Sequence, residues 1–320
     1  MEEIISQIFQ VGFFAAIIRI ATPFVFATIG ELFAERSGVL NLGIEGIMMF
    51  GAMTGFSTAY FTSSLWLGIL AAMLTGMLMA ALMGFLTVSL GLSQHVSGIG
   101  ITMLSTGFAF FFYRLIFGQP STLPNIKAFT PVGIPVLKDI PWIGPVLFEQ
   151  TTLTYLAFAV VPLAAFLLYK TPWGLNLRTV GENPHAADSA GVSVSAMRYQ
   201  GLIISGALMG IAGAFLVMVQ FNAFTFGVIS GRGWICIALV VFGQWGPWKS
   251  AAGALLFALI DALQLRLQAS SIIDLPYQVF LMMPFVLTIV TMMLVSRNAQ
   301  APSALLIPFR KEERRTSRYK

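Results

Sequence analysis

The stretch from Leu65 to Leu90, LWLGILAAMLTGMLMAALMGFLTVSL, contains no charged residue. A second apolar run extends from Val279 to Val295. Each is close to the roughly 20 apolar residues that an α-helix needs to cross about 30 Å of hydrocarbon. Over the whole chain of 320 residues, 57% are hydrophobic and 10% are charged, whereas a soluble domain carries roughly 25% charged residues. The sequence therefore predicts an all-α, polytopic membrane protein.

Apolar runs along the chain predict about nine transmembrane helices, with eight and ten as alternative counts. Small residues at four-residue spacing, such as Gly76 with Ala80 and Gly206 with Gly210, predict close helix packing, either static or sliding during a transport cycle. The predicted spans are residues 8–33, 39–60, 64–90, 94–117, 151–170, 199–221, 227–245, 247–268 and 276–296.

The segments between these spans predict the orientation of the chain. Residues 118–150 hold six of the fifteen prolines and interrupt the hydrophobic pattern, which predicts a surface loop. Lys170, Arg178 and Arg198 flank residues 171–198, and basic residues near span ends favour the cytoplasmic side. Nine crossings then leave residues 118–150 outside the cell.

The net charge of +5 is concentrated at the C-terminus, where six of the eighteen basic residues fall between Arg310 and Lys320. Such a cluster is typical of a cytoplasmic end beside an anionic membrane surface, and it does not indicate a nucleic-acid partner. Residues 1–300 are therefore predicted to form one transmembrane domain, and residues 301–320 a basic cytoplasmic tail.

Residues 178–194, RTVGENPHAADSAGVSV, predict a short capped helix within the cytoplasmic loop. Asn183 suits the N-cap, Pro184 the first helical position, and Gly191 the left-handed position after the helix. The two-turn helix between them offers only small and polar side chains, so it has no means of anchoring itself in lipid. It either enters a groove on a soluble partner or is an ordinary capped loop helix.

Residues 36–46, RSGVLNLGIEG, predict a broken transmembrane helix, because three glycines precede an apolar run. Asn41 and Glu45 are four residues apart and are predicted to share one helix face. Intramembrane carboxyl groups usually face a cavity or a partner. Two interpretations follow: these residues contact the substrate pathway, or Glu45 forms an ion pair with Arg19 that holds the helices together.

Residues 231–247, GRGWICIALVVFGQWGP, contain a second break, in which glycines flank Arg232. Irregular backbone at membrane depth is tolerated where it is buried in protein or lines water. Arg232 is predicted either to meet a polar solute or to pair with Asp261. Asp261, Gln264 and Gln268 form a polar stripe on the eighth span, which is expected to face protein or a pore.

Three phenylalanines surround an amide just before this second break. Phe221, Phe224 and Phe226 with Asn222 offer flat apolar faces and a hydrogen-bonding group, which would suit a nucleobase. An aromatic belt at the outer interface explains the same residues.

The sequence contains no motif for ATP hydrolysis and argues against a histidine-based metal site or a catalytic dyad. Residues 246–250, GPWKS, resemble the end of a nucleotide-binding loop, but Trp248 stands where the glycine before the lysine is required. His95 and His185 are the two histidines of the chain, too few for a histidine-based metal site. We therefore expect no enzymatic activity, no metal and no cofactor bound by this chain.

The three segments at 36–46, 178–194 and 231–247, in this order, resemble the permease family of bacterial ABC importers for nucleosides and simple sugars. The resemblance is strongest to the basic-membrane-protein-dependent nucleoside permeases, and it extends over residues 20–297. RSGVLNLGIEG and GENPHAADSAGV are its most specific parts.

The resemblance implies a location in the bacterial cytoplasmic membrane and three protein partners in that system. These are an ATPase subunit that holds ATP and Mg, a second homologous permease in a heterodimer, and an extracytoplasmic substrate-binding lipoprotein. It also implies that the capped helix is the coupling helix that docks on the ATPase, with docking residues Glu182, Asn183, Pro184, Ala186, Ala187, Asp188, Ala190 and Gly191.

The solute and the mode of energisation have alternatives. Riboflavin and simple sugars are alternatives to nucleosides, because such permeases pass what the binding protein selects. An ion-coupled secondary transporter would show similar broken helices and buried charges. A membrane enzyme is a third class, which the absence of a convergent catalytic set argues against.

Overall fold

The computed structural model describes residues 10–120, 122–269, 277–295 and 300–309. The described chain is almost entirely helical, as the composition predicts. Its elements are α1 (Val11–Arg36), α2 (Ile44–Thr62), α3 (Leu65–Gly84), α4 (Gln94–Phe117), β1 (Val132–Gly133), α5 (Ile143–Leu147), β2 (Glu149–Gln150), α6 (Thr152–Lys170), α7 (Pro172–Glu182), α8 (Pro184–Ser189), α9 (Val194–Phe215), α10 (Arg232–Phe242), α11 (Pro247–Ala269) and α12 (Tyr277–Val295).

Within the described residues, six helices are long and apolar enough to cross a membrane: α1, α3, α4, α6, α9 and α11. Helices α2, α10 and α12 occupy the other three predicted positions. Helix α10 has 11 residues, about half the length that a single crossing needs. The count of nine crossings therefore stays a prediction.

Helix α9 lies at the centre of the fold and packs against α1, α2 and α3. Glycines make this contact possible, because a Cβ on Gly76 would overlap the backbone carbonyl of Gly206, and a Cβ on Gly51 would lie 2.8 Å from the Cα of Gly210. Backbones in contact at small residues are the usual means of packing helices in lipid. The predicted close packing is thus present between α3 and α9.

Several helices begin at side-chain caps that the sequence supplies. Ser64 Oγ accepts a hydrogen bond from the Leu67 amide at the start of α3. Thr171 Oγ1 accepts one from the Gly174 amide at the start of α7, where Pro172 occupies the first helical position. Such caps satisfy amides that have no partner inside the helix. The helix α7 was not predicted, although its threonine–proline start is visible in the sequence.

Residues 118–150 form a loop with little regular structure, as predicted. Its two short strands pair antiparallel, with Val132 opposite Gln150. The Ile126 amide donates to the carbonyl of Asn222 at 3.0 Å, and the Phe129 amide donates to the carbonyl of Met218 at 3.2 Å. The loop is therefore fastened to the end of α9.

Helix α9 ends in a π-helical turn, Leu216–Gln220, and irregular backbone then leads to α10. Asn222, Ser230 and Gly231 in this segment have positive φ angles of 57°, 49° and 82°. Gly231 directly precedes the first residue of α10. The predicted break before α10 is thus present, and it frames the cavity described below.

Residues 300–309 pack against the body of the protein. The Ala304 amide donates to the carbonyl of Gly181 at 2.9 Å, and the Ala304 side chain is buried. The basic residues from Arg310 to Lys320 lie outside the described residues.

Candidate functional site

A cavity of about 360 Å³ lies where the irregular segment, α10, α11 and α12 meet α1. Small-molecule sites in proteins have volumes of roughly 300–1,000 Å³, so a small solute fits this space. Both charged and aromatic side chains line it. The lining residues are Phe24, Phe221, Thr225, Gly227, Val228, Ser230, Arg232, Ile235, Phe257, Asp261, Gln264, Leu265, Gln268, Pro284 and Phe285.

Arg232 and Asp261 face each other across this cavity. Arg232 Nη2 lies 3.9 Å from Asp261 Oδ2, and the two side chains are 20% and 16% exposed. Arg232 Nη1 also donates to the carbonyls of Val228 and Ile229 at 3.3 and 3.2 Å. The sequence predicted this pairing as one alternative. A pair at this distance is longer than a hydrogen bond, so both groups keep hydrogen-bonding capacity for a polar solute in the cavity.

Gln264 and Gln268 line the same cavity, one helical turn apart on α11. Among the described residues, no partner is present for the buried atoms Gln264 Oε1 and Gln268 Nε2. Gln264 is 4% exposed, and a buried polar atom without a partner costs about 1–3 kcal/mol. Each amide thus has one hydrogen-bonding atom without a protein partner, and rotation of these two side chains would turn those atoms toward a solute in the cavity.

Glu45 caps the start of α10 and does not line the cavity. Its Oε1 accepts a hydrogen bond from the Gly231 amide at 2.7 Å, and its Oε2 accepts one from the Gly233 amide at 2.8 Å. A Cβ on Gly233 would lie 2.8 Å from both the backbone nitrogen and the Cα of Glu45, so only glycine fits there. The predicted ion pair with Arg19 is wrong: the Arg19 side chain is exposed, and no salt bridge joins it to Glu45 among the described residues.

Asn41 lies in the turn between α1 and α2, also away from the cavity. Its side-chain Oδ1 accepts a hydrogen bond from the Gly43 backbone amide at 3.1 Å. The backbone amide of Asn41 donates to Glu31 Oε1 at 2.9 Å. Asn41 is fully buried. Because it precedes α2, it does not share a helix face with Glu45, and the prediction that it does is wrong.

The cluster at residues 221–226 is divided by the fold. Phe221 lines the cavity, whereas Phe224 is 1% exposed and packs with its ring centroid 4.9 Å from that of Tyr113. Asn222 holds the loop of residues 118–150 through its carbonyl. Neither Phe224 nor Asn222 is among the residues that line the cavity.

The capped helix forms where it was predicted, as α8. Asn183 Oδ1 accepts a hydrogen bond from the Ala186 amide at 3.1 Å, and Gly191 has a φ of +83°. The Ala187 side chain is buried, which anchors the helix to its neighbours. Ala186 and Ala190 are exposed and form an unobstructed small-residue surface.

Residues 13–292 match the model of the family described as branched-chain amino acid transport system, permease component. The chain belongs to this permease family. It is a multi-pass membrane protein that works as a transport subunit and not as an enzyme.

Three relatives support the assignment as an ABC transporter permease. A putative glucose ABC transporter permease of Haloferax volcanii is 41% identical, with 82% of this chain and 80% of the relative covered. A guanosine ABC transporter permease of Bacillus subtilis is 37% identical, with 92% and 95% covered. A nucleoside ABC transporter permease of Lactococcus lactis is 36% identical, with 89% and 92% covered. No solved structure matches the chain.

The permease also contains two buried carboxyl groups that the sequence analysis missed. Glu31 and Glu35 are 0% and 1% exposed and lie one turn apart on α1. Trp245 Nε1 donates to Glu35 Oε2 at 2.5 Å, which ties the segment after α10 to α1. Two glutamates four residues apart in an apolar run were the available signal, since such groups in a membrane helix usually face a partner.

Proposed function

We propose that the permease imports nucleosides into the cytoplasm by alternating access, with the cavity between α10, α11 and α12 as its solute site. The observation that carries this proposal is the combination of an unpaired amide acceptor and donor with aromatic walls in one cavity. Gln264 and Gln268 supply the amides, and Phe221, Phe257 and Phe285 supply the apolar faces. A nucleoside has a flat base with donors and acceptors on its edge, and aromatic faces stack on such bases.

The charged pair would take the sugar end of the solute. Ribose hydroxyl groups both donate and accept, so they can bond to the Asp261 carboxylate and the Arg232 guanidinium together. The guanosine and nucleoside permeases named above support this substrate class, because their similarity covers about nine tenths of both chains.

Simple sugars are the second candidate substrate. The putative glucose permease of Haloferax volcanii favours them, being 41% identical over 268 residues. The amides and charges of the cavity suit a sugar, but binding a sugar does not require the three phenylalanines. Riboflavin has a flat ring and a polyol chain, and it is the third solute to test.

For the topology we propose nine crossings, in which α10 and the irregular segment before it together form one broken crossing. Residues 118–150 would then lie outside the cell and receive the substrate-binding lipoprotein. The loop with α7 and α8 and the C-terminus would lie in the cytoplasm, as the basic residues at Lys170, Arg178 and Arg198 favour.

In this arrangement α8 is the coupling helix. The cap on Asn183 and the buried Ala187 would hold it in place, and Ala186 and Ala190 would dock in a groove of the ATPase subunit. ATP and Mg would be bound by that subunit. The second permease would be homologous and non-identical, and ATP-driven closure of the ATPase pair would move both permeases between outward-facing and inward-facing states.

Competition transport in proteoliposomes tests the substrate. The complete transporter is supplied with labelled guanosine, and unlabelled nucleosides, glucose and riboflavin are added in excess. We expect only nucleosides to compete, and competition by glucose alone would replace the nucleoside by a sugar. Gln264→Leu is expected to raise the KM for guanosine about ten-fold or more, because a buried hydrogen bond to the solute is lost. Gln278→Leu, at an exposed glutamine on α12 that does not line the cavity, is the control.

Charge placed on α8 tests the coupling helix. The double variant Ala186→Glu and Ala190→Glu is expected to abolish ATP-dependent uptake. The double variant Ala186→Ser and Ala190→Ser keeps both side chains small and is expected to preserve uptake. Uptake that survives the double glutamate variant would remove α8 from the coupling role.

A further inference from the structure

Residues 300–309, the C-terminal segment, are built onto α8 and the helices on either side of it. We propose that this segment is a brace that holds the coupling helix in position and connects its movement to α1 and α9. The proposal rests on the coupling role proposed for α8. Its evidence is a set of contacts that fall on four different parts of the fold.

The first contacts join the C-terminal segment to the end of α7, directly before α8. The Ala304 amide donates to the carbonyl of Gly181 at 2.9 Å. Both the amide and the hydroxyl of Ser303 donate to Glu182 Oε2 at 3.2 Å. Glu182 is the last residue of α7 and is separated from α8 only by the capping residue Asn183. Movement of α8 at this end therefore carries the C-terminal segment with it.

The second contact lies at a buried arginine on α9. Arg198 is 1% exposed, and its Nη2 donates to the carbonyl of Ile307 at 3.2 Å. Among the described residues, its Nε has no partner. A buried guanidinium with few acceptors gains much from each one, because leaving a buried charge unpaired is costly. The backbone of the C-terminal segment thus supplies an acceptor to a buried charge.

The third contact is apolar and reaches α8 itself. Phe309 packs against a small cluster formed by Val180, Ala187 and Val194, which lie on α7, α8 and α9. Its ring centroid lies 5.1 Å from that of His185, the second residue of α8. This small cluster is separate from the main core of the protein. Phe309 therefore adds an aromatic side chain to the apolar contacts that keep α8 in place.

A final contact connects the segment to α1 through the turn that follows it. A Cβ on Gly38 would lie 3.2 Å from Arg198 Nη2 and 3.3 Å from the carbonyl oxygen of Ala304. Gly38 has a φ of +90°, and its lack of a side chain lets the C-terminal segment and Arg198 approach this turn. The segment thus touches the α1–α2 turn, α7, α8 and α9. A displacement of α8 therefore has a direct physical connection to α1 and α9.

The brace is tested in the complete transporter by the amount of solute imported per ATP hydrolysed. Phe309→Ala is expected to lower this ratio about ten-fold, because the cluster that holds α8 loses its largest member. Phe309→Leu keeps much of the apolar volume and is expected to restore at least half of the ratio. If the two variants are expressed equally, a role of Phe309 in folding alone would not predict this difference between them. Ile307→Ala is the matched control, since that side chain is 55% exposed and its backbone carbonyl is retained; it is expected to stay within about two-fold of the wild type.

Two truncations separate the brace from the basic residues that follow it. A chain ending at Phe309 is expected to keep the import ratio, and a chain ending at Gln300 is expected to lose it while still hydrolysing ATP. Wild-type ratios in both Phe309→Ala and the chain ending at Gln300 would overturn the proposal. So would loss of the ATPase subunit from a folded Phe309→Ala complex, because the segment would then bind the ATPase directly.

The outcomes of these variants and of the α8 charge variants are distinguishable. If glutamate at Ala186 and Ala190 abolishes uptake and the Phe309 variants do not change it, the brace is wrong and the coupling role of α8 stands. If the α8 variants transport normally, the coupling role fails and the import ratio of the Phe309 variants has to be explained by another docking surface.

Discussion

Glu45→Gln is the substitution that tests most directly how the cavity is built. The glutamate uses both of its oxygens, one for the Gly231 amide and one for the Gly233 amide. A glutamine has one oxygen and an NH₂ group, so one backbone N–H at the start of α10 loses its acceptor and faces a donor instead. The side chain keeps its size, and the variant therefore changes the hydrogen bonding without creating a void.

The magnitude follows from the two hydrogen bonds and from the position of Glu45. A hydrogen bond to a charged group is worth about 1.5–3 kcal/mol, and a carboxylate at a helix N-terminus adds about 0.3–1 kcal/mol through the helix dipole. Glu45 is half-buried, so water replaces part of what is lost. The lost hydrogen bond and the lost dipole interaction add to about 2–4 kcal/mol. We expect Glu45→Gln to destabilise the start of α10 by about 2 kcal/mol, near the lower end of this range.

Two measurements check this expectation in the reconstituted transporter. Thermal unfolding is expected to show a lower midpoint, and uptake is expected to show a raised KM, because Arg232 is the first residue of α10 and moves with its start. Glu45→Ala is expected to be worse than Glu45→Gln, since it removes both acceptors. Wild-type stability and KM in Glu45→Gln would refute the reasoning, because the two hydrogen bonds would then contribute nothing that water cannot replace.

Two further substitutions test the packing around α9 and α1. Gly76→Ala is expected to lower the free energy of unfolding by about 1–3 kcal/mol, because the added Cβ overlaps the backbone of α9. Gly107→Ala on α4 is the control, since nothing lies within 4 Å of the added Cβ there. Equal melting temperatures of the two variants would contradict the prediction. Trp245→Phe is expected to cost about 1–3 kcal/mol by leaving Glu35 without its indole donor. Trp248→Phe, at a side chain that is 62% exposed, is expected to leave thermal unfolding unchanged.

The helices were predictable because their causes are local. Apolar runs of sufficient length and capping residues at their ends act within a few residues of each other, as Asn183 does at α8. The helix α7 was not predicted because it is amphipathic with a low average hydrophobicity, so it does not stand out as an apolar run. The Glu31–Glu35 pair escaped because a carboxyl group that ends a membrane helix looks like an interfacial residue until the fold covers it.

The candidate site was predictable in part, for a different reason. Asp261, Gln264 and Gln268 share one face of a helix, so their proximity follows from helical spacing alone. The positions of Asn41 and Phe224 do not, because each is decided by a turn or by distant aromatic partners such as Tyr113. The alternatives for Glu45 both assumed a side-chain or solute partner, whereas its actual partners are backbone amides 186 and 188 residues away.

These contacts connect the two broken segments into one mechanical unit. Glu45 on α2 holds the start of α10, and Trp245 just beyond the end of α10 is hydrogen-bonded to Glu35 on α1. Helix α10 is thus fixed at both ends by carboxyl groups from the first two helices, and Arg232 at its start forms one wall of the cavity. The turn between those two helices is also where the C-terminal segment approaches Gly38. We expect a displacement that reaches this turn from α8 to be passed through α1 and α2 to both ends of α10, which would make the geometry of the cavity dependent on the position of α8.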